Sequence, residues 1–245
     1  MAIGTKCLPK IEFQANSPSL FTNFIFRIHL VLEVPSQTKA PNSRLVFKFT
    51  AMNAHEILPK TELNCPEGLE LVLLGGGCFW CTEAVFLRLE GVKEVVPGYA
   101  GGIVVEPTYE AICRGTTGHA EVIQVTFDPK IISLETILAV FWATHDPTTL
   151  NRQGADVGPQ YRSAVFYTND AQGEKALALK EELTKSGEYA KPILTEITPF
   201  TNFYSAEQYH HNYYALHGQQ PYCQFVVRPK VEKLQQLFGE LLLKD

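Results

Sequence analysis

The 245-residue chain lacks any long apolar run. Its nearest approach, Leu20 to Leu32, is broken by Asn23, Arg27 and His29, and a membrane-spanning helix needs roughly 20 apolar residues. The expectation is a soluble protein with no membrane partner. Positive charge is also scarce: 21 Lys and Arg stand against 26 Asp and Glu, a net charge of −5. That leaves no broad basic field of the kind a phosphate backbone requires, so nucleic acid is not an expected partner. Six cysteines are too sparse for the disulfide scaffold of a small secreted domain and read as reduced intracellular thiols, with the cytoplasm as the expected location. There is no internal repeat and no low-complexity segment. What remains, 45% hydrophobic and 19% charged, is ordinary globular composition, enough for one substantial core and, by expectation, a monomer.

Residues 1–51 differ from the rest. Lys6, Lys10, Arg27, Lys39, Arg44 and Lys48 face only Glu12 and Glu33, a charge of +4 that leaves −9 for residues 52–245. Basic, Ser-containing and acid-poor composition suits an organelle transit peptide, although no clean amphipathic helix or cleavage site accompanies it. The competing expectation is an upstream or disordered leader with translation starting at Met52, one of only two methionines. The division read from the sequence is therefore a leader over 1–51 and a single catalytic domain over 52–245.

From Gly68 onward, short apolar runs alternate with amphipathic stretches, as strands interleaved with helices do. Leu69 to Leu74 reads as a buried strand, Gly75 to Gly77 as a turn, and Ala84, Val85, Leu87 and Leu89 as one face of a helix begun at Cys78. Val92 to Val96, Ala120 to Phe127 and Ser163 to Tyr167 read as strands. In the second of these, Val122, Gln124 and Thr126 alternate with Ile123, Val125 and Phe127. Leu134 to Thr144, capped by Ser133, Ala171 to Lys185, ended by Gly187, and Val231 to Leu243 read as helices. Helices packed on a sheet are the implied arrangement.

The run Gly75-Gly76-Gly77-Cys78-Phe79-Trp80-Cys81 carries the chemistry. A strand, glycine turn and helix place Cys78 at a helix N-terminus, where unsatisfied N–H groups and the helix dipole favour a thiolate and lower the thiol pKa. The same loop would suit a phosphate, but the Lys and Ser/Thr of a Walker loop are missing. Phe79 and Trp80 are either core or the walls of a small apolar pocket.

Gly77-Cys78-Phe79-Trp80 followed by Glu83 resembles the signature of the A-type peptide methionine sulfoxide reductases. Further segments match that family in order: Gly98-Tyr99-Ala100-Gly101-Gly102, Pro107-Thr108-Tyr109, Gly118-His119-Ala120-Glu121, Phe141-Trp142, His145-Asp146-Pro147, Arg152-Gln153-Gly154-Ala155-Asp156, Gln160-Tyr161-Arg162-Ser163, Ala206-Glu207-Gln208-Tyr209-His210 and Tyr213-Tyr214. The likeness runs from about Leu71 to beyond Cys223.

The resemblance implies an α+β fold, a two-layer sandwich related to the ferredoxin-like plan, with a mixed sheet and flanking helices. It implies that Cys78 attacks the sulfur of a methionine S-sulfoxide, free or in an oxidised protein, leaving methionine and a cysteine sulfenic acid. Glu121 is implied as the acid that protonates the oxygen, and Tyr109 and Tyr161 as hydrogen-bond donors to it. Asp156 is implied to hold the substrate main-chain amide, and Phe79 and Trp80 to receive the methyl group. Glu121 stands at the start of an apolar strand, where desolvation would raise its pKa enough to keep a proton near neutrality; read without the resemblance, a solvated strand-edge carboxylate is the preferred alternative.

No bound cofactor or metal is expected. The sulfenic acid is cleared by a second cysteine, and the resulting disulfide by thioredoxin, or by dithiothreitol in vitro. Cys81, where much of the family has glycine, and Cys223, in Pro221-Tyr222-Cys223, both qualify as the resolving thiol; proximity favours Cys81. Cys113 reads as structural. Two other classes compete: a thioredoxin-like disulfide oxidoreductase using Cys78 and Cys81, and a zinc module drawing on Cys78, Cys81, His210, His211 or Cys223.

Overall fold

The structure is a computed structural model that describes residues 59–244. Ahead of them it gives only two dipeptide strands, Phe24–Ile25 and Met52–Asn53, paired antiparallel. The chain divides into two units, residues 1–57 and 58–245, and the main sheet, the core and the candidate site all lie in the second. The leader expected over 1–51, and Cys7 with it, otherwise lies outside the described residues.

Six strands form one mixed sheet: β1 (Glu70–Gly76), β2 (Val92–Ala100), β3 (Ala120–Phe127), β4 (Ser163–Tyr167), β5 (Glu196–Pro199) and β6 (Phe203–Ser205). Their spatial order is β6-β2-β3-β1-β4-β5, and every pairing is antiparallel except β4 with β5. The helices are α1 (Phe79–Phe86), α2 (Tyr109–Cys113), α3 (Leu134–Thr144), α4 (Asp170–Ser186), α5 (Tyr213–His217) and α6 (Arg228–Phe238). The α+β sandwich with helices packed on a mixed sheet is thus the observed architecture.

The period-two alternation of the strands divides the core. Val72 and Leu74 of β1, with Ile123, Val125 and Phe127 of β3, face the helices and join the main cluster around Phe86, Ile137, Phe141 and Trp142. Leu71, Leu73, Ala120, Val122 and Phe166 point to the opposite face and make a smaller cluster with Leu63, Phe200 and Phe203. No methionine contributes to either, because Met1 and Met52 both precede the described domain.

Several boundaries match the sequence reading. β3, β4 and α3 coincide with it, the Ser133 hydroxyl accepts from Thr136 N–H as the N-cap of α3, and Gly187 ends α4 in the left-handed region. Others shift. Gly75 and Gly76 belong to β1, so the turn is confined to Gly77 and Cys78. β2 runs on through Pro97 and Gly98 to Ala100, because proline's fixed φ suits extended backbone. Gly98 is required where it stands, since a Cβ there would lie 2.4 Å from the Phe203 ring and from the Tyr204 carbonyl. The C-terminal helix starts earlier than expected, at Arg228 with Pro229 in its first turn, and ends at Phe238. Strands β5 and β6 have no counterpart in the sequence reading: four and three residues rich in Thr, Pro and Ser carry little alternation.

Ile123→Ala removes a fully buried side chain at the sheet–helix interface and is expected to lower unfolding free energy by about 2–5 kcal/mol in urea. Ser133→Ala, which removes only a cap, is expected to cost about 1 kcal/mol.

Candidate active site

Antiparallel pairing brings the C-terminal ends of β1 and β2 beside the N-terminal ends of β3 and β4: Gly76 is opposite Ser163, and Tyr99 is opposite Glu121. The site lies at this end of the sheet. β1 delivers the chain to Gly77, whose φ of +92° turns it into α1. A Cβ on Gly77 would lie 2.6 Å from the Gln153 side chain, so glycine is required by both conformation and space. Gln153 is fixed in turn by accepting from Asp146 N–H at 3.1 Å and donating to the Asp146 carbonyl at 3.1 Å.

Cys78 occupies the N-cap position of α1 and keeps 7% of its surface exposed. The next amide, Phe79 N–H, donates to Glu121 Oε2 at 3.1 Å. One of the four amides that a helix start leaves unpartnered is thereby satisfied by a carboxyl group from the neighbouring strand. Glu121 shares its strand face with Ile123, Val125 and Phe127 and is 1% exposed, so the solvated strand-edge reading is corrected. Burial pushes its pKa up to about 8; the Phe79 amide opposes this, and the negative fields of Asp156 and Cys81 add to it.

Cys81 N–H donates to the Cys78 carbonyl at 3.0 Å, one turn on, and the two thiols are close enough for each to shift the other's ionisation. Their first ionisation is a property of the pair. Cys81 is lowered to about 7, first by the neighbouring Cys78, then by the Lys230 charge, against the cost of burial. Cys78 is pushed up, chiefly by burial. The expectation that the helix start alone lowers the Cys78 pKa is therefore corrected: desolvation outweighs it, and the anion is shared with Cys81.

The tyrosines approach from two other elements. Tyr109 opens α2, which Thr108 caps by accepting from Ala111 N–H at 3.3 Å. Tyr161 ends a short 3₁₀ turn over Pro159–Tyr161. Both are half-buried and pushed above the usual phenol range by burial and by the Glu121 charge, so both remain protonated donors. Tyr161 also feels the charges of Cys78 and Asp156. Asp156 comes from a two-residue hairpin strand, Asp156–Val157, paired with Arg152–Gln153.

Phe79 is 1% exposed, and its ring lies 5.0 Å from that of His210 and 5.9 Å from that of Tyr99. Trp80 is half-buried and stacked on Tyr213 at 3.6 Å with an interplanar angle of 5°. Cys223, by contrast, is fully buried at the start of a π-turn, Cys223–Val227. It lies close enough to Cys81 to feel its charge. Cys113 is exposed at the end of α2.

Four supporting residues lie within or beside the motifs noted in the sequence, but their roles depend on distant partners. Glu207 accepts from Tyr99 Oη at 2.8 Å and from Tyr109 N–H at 2.9 Å, anchoring α2. His210 Nδ1 accepts from Trp80 Nε1–H at 3.1 Å, which puts its own proton on Nε2 and orients the indole. Glu83 accepts from Asn212 N–H at 2.8 Å and Tyr213 N–H at 3.3 Å, so α1 fixes the start of α5. Tyr222 donates from Oη to Asp156 Oδ2 at 2.8 Å, and its hydroxyl bears on the ionisation of Cys78. Among the described residues no group of three or more His, Cys, Asp or Glu is arranged to hold a metal, and no helix is long and apolar enough to cross a membrane.

A buried thiol pair at a helix start, a protonated carboxyl group bonded to the next amide and phenols around them define a thiol-based oxidoreductase. The family profile described as peptide methionine sulfoxide reductase matches residues 70–241. The peptide methionine sulfoxide reductase MsrA of Thermus thermophilus is 54% identical over 173 residues, covering 71% of this chain and 97% of the relative. The protein of the same name from Saccharolobus solfataricus is 54% identical over 172 residues, 70% of this chain and 96% of its own. Among solved structures, reduced Mxr1 of Saccharomyces cerevisiae aligns with a TM-score of 0.60 at 36% identity, over 68% of this chain and 96% of its own. Methionine sulfoxide reductase A of Corynebacterium diphtheriae aligns with a TM-score of 0.57 at 32% identity, over 63% of this chain and 78% of its own. The chain belongs to the peptide methionine sulfoxide reductase family.

Gly77→Ala is expected to destabilise the fold by about 2 kcal/mol or more in urea unfolding, from backbone strain and overlap with Gln153. Gly154→Ala, also at positive φ but with open space around it, is expected to cost only about 1–2 kcal/mol.

Proposed function

We propose that the protein reduces the S epimer of methionine sulfoxide, free or in oxidised proteins, with Cys78 as nucleophile. The observation that carries the reading is the Phe79 N–H to Glu121 hydrogen bond, which sets a buried carboxyl group with a pKa of about 8 beside the thiol at the same helix start. A sulfoxide oxygen leaves only if protonated, and a carboxyl group still neutral at about pH 7 can supply that proton. A thioredoxin-like disulfide exchange needs no such acid and leaves Glu121, Tyr109 and Tyr161 without a task.

The Cys78 thiolate attacks the sulfoxide sulfur while Glu121 delivers a proton to the oxygen and Tyr109 and Tyr161 donate hydrogen bonds to it. Asp156 accepts from the substrate main-chain amide. Phe79 and Trp80 bound the space for the methyl group, Trp80 being held by His210 and Tyr213. Methionine leaves and Cys78 becomes a sulfenic acid. The Cys81 thiol, one helical turn from Cys78, then attacks the sulfenic sulfur and displaces water to form a disulfide. The net reaction converts one sulfoxide and two thiols into a sulfide, a disulfide and water. The position of Cys81 one turn from Cys78, with its N–H on the Cys78 carbonyl at 3.0 Å, supports Cys81 as the resolving thiol ahead of Cys223, whose proximity is to Cys81. Thioredoxin, a dithiol protein, returns the disulfide to thiols. No bound cofactor enters these steps. We place this monomeric enzyme in the reducing cytoplasm, with 52–245 as its catalytic domain and 1–51 as a leader.

Single-turnover methionine formation from blocked S and R sulfoxides, without added reductant, tests the reading. One equivalent from the S epimer alone is expected, abolished in Cys78→Ser. Cys81→Ser should keep that burst and lose thioredoxin-dependent turnover, while Cys223→Ser should keep both; R-epimer reduction or a burst surviving Cys78→Ser would sink the assignment. The burst rate should rise with pH through about 7, as the thiol pair ionises, and fall above about 8, as Glu121 loses its proton. Glu121→Gln should slow it about 10²–10⁴-fold and remove the alkaline fall.

A further inference from the structure

The phenol of Tyr222 meets three groups at once. Its Oη donates to Asp156 Oδ2 at 2.8 Å. It is near enough to the Cys78 sulfur for each group to influence the other's ionisation, and its ring stands edge-on to Trp80 at 5.7 Å with an interplanar angle of 79°. Nucleophile, amide-binding carboxylate and methyl-pocket wall are the groups that a bound sulfoxide would touch under the proposed function, on which this inference rests. Two occupants cannot share that space.

Tyr222 comes from the Pro221-Tyr222-Cys223 segment, which leads from α5 into the π-turn, and it is only half-buried whereas Cys223 behind it is fully buried. With Tyr222 in place Cys78 retains 7% exposure. We infer that Tyr222 is an internal plug of the substrate site, held by Asp156, which a methionine sulfoxide displaces on entering. The carboxylate that binds the substrate amide is then released from the phenol only when substrate arrives. Apparent affinity is set by the fraction of molecules in which the phenol has swung away. Because Cys223 follows directly in the chain, the same movement shifts the second candidate resolving thiol.

A plug and a catalytic donor behave oppositely when the hydroxyl is removed. A plug loosened by losing a hydrogen bond to a charged partner should leave the site open about tenfold more often. Tyr222→Phe keeps the ring and its packing. Alkylation of Cys78 by iodoacetamide, localised by tandem mass spectrometry in the full chain, should be about tenfold faster in this variant than in the wild type. Its KM for blocked methionine S-sulfoxide should fall by a similar factor with kcat within about twofold. Asp156→Asn should also speed alkylation of Cys78 while raising KM, because it weakens the plug's anchor and the substrate's together. Slower or unchanged alkylation in Tyr222→Phe, or a drop in kcat at constant KM, would overturn the plug and make Tyr222 a donor to the reacting sulfur. Faster alkylation in a protein that reduces neither sulfoxide epimer would retain a phenol covering the thiol and remove the functional reading beneath it.

Discussion

The hydrogen bond from Phe79 N–H to the Glu121 carboxyl group joins the start of α1 to the middle of the sheet, and the site is assembled around it. A helix start must find acceptors for its first amides, and a buried carboxyl group must find donors. Each meets the other's need. Because Phe79 follows Cys78, satisfying its amide also fixes the thiol beside the acid. The burial that makes this hydrogen bond necessary is what keeps Glu121 protonated near neutrality, so one contact serves fold and chemistry.

Around it the remaining contacts hold rather than react. Glu207 ties Tyr99 to the α2 backbone, Glu83 ties α1 to α5, and His210 ties Trp80 to the turn before α5. Each is a long-range pairing between a side chain on one element and an amide, phenol or indole on another. Where the acceptor is a carboxylate, as with Glu83 and Glu207, such hydrogen bonds are stronger than neutral ones and fix orientation as well as energy. The C-terminal segment, from Glu207 to Tyr222, is thus laid over the thiol by several independent anchors.

Much of the fold was legible because its periods are simple. The alternation in Ala120 to Phe127 and the cap at Ser133 gave β3 and α3 their observed boundaries. The same alternation places Glu121 in parity with Ile123, Val125 and Phe127, on the buried face, where the desolvation expected at the start of an apolar strand is found. The glycines misled, since Gly75 and Gly76 are strand residues packed close to neighbouring backbone and to Phe141, and only Gly77 turns. Pairings such as Tyr222 with Asp156 span 66 positions in the chain; no local pattern encodes them.

The methionine-free core has a consequence for a member of a family named for reversing methionine oxidation. Sulfoxidation turns a flexible apolar side chain into a polar one and loosens the packing that holds it. A domain whose interior is Leu, Ile, Val and aromatic side chains offers no thioether to that reaction. Residues 59–244 can carry none of the lesion that the family reverses and present no sulfoxide of their own to compete for the thiol.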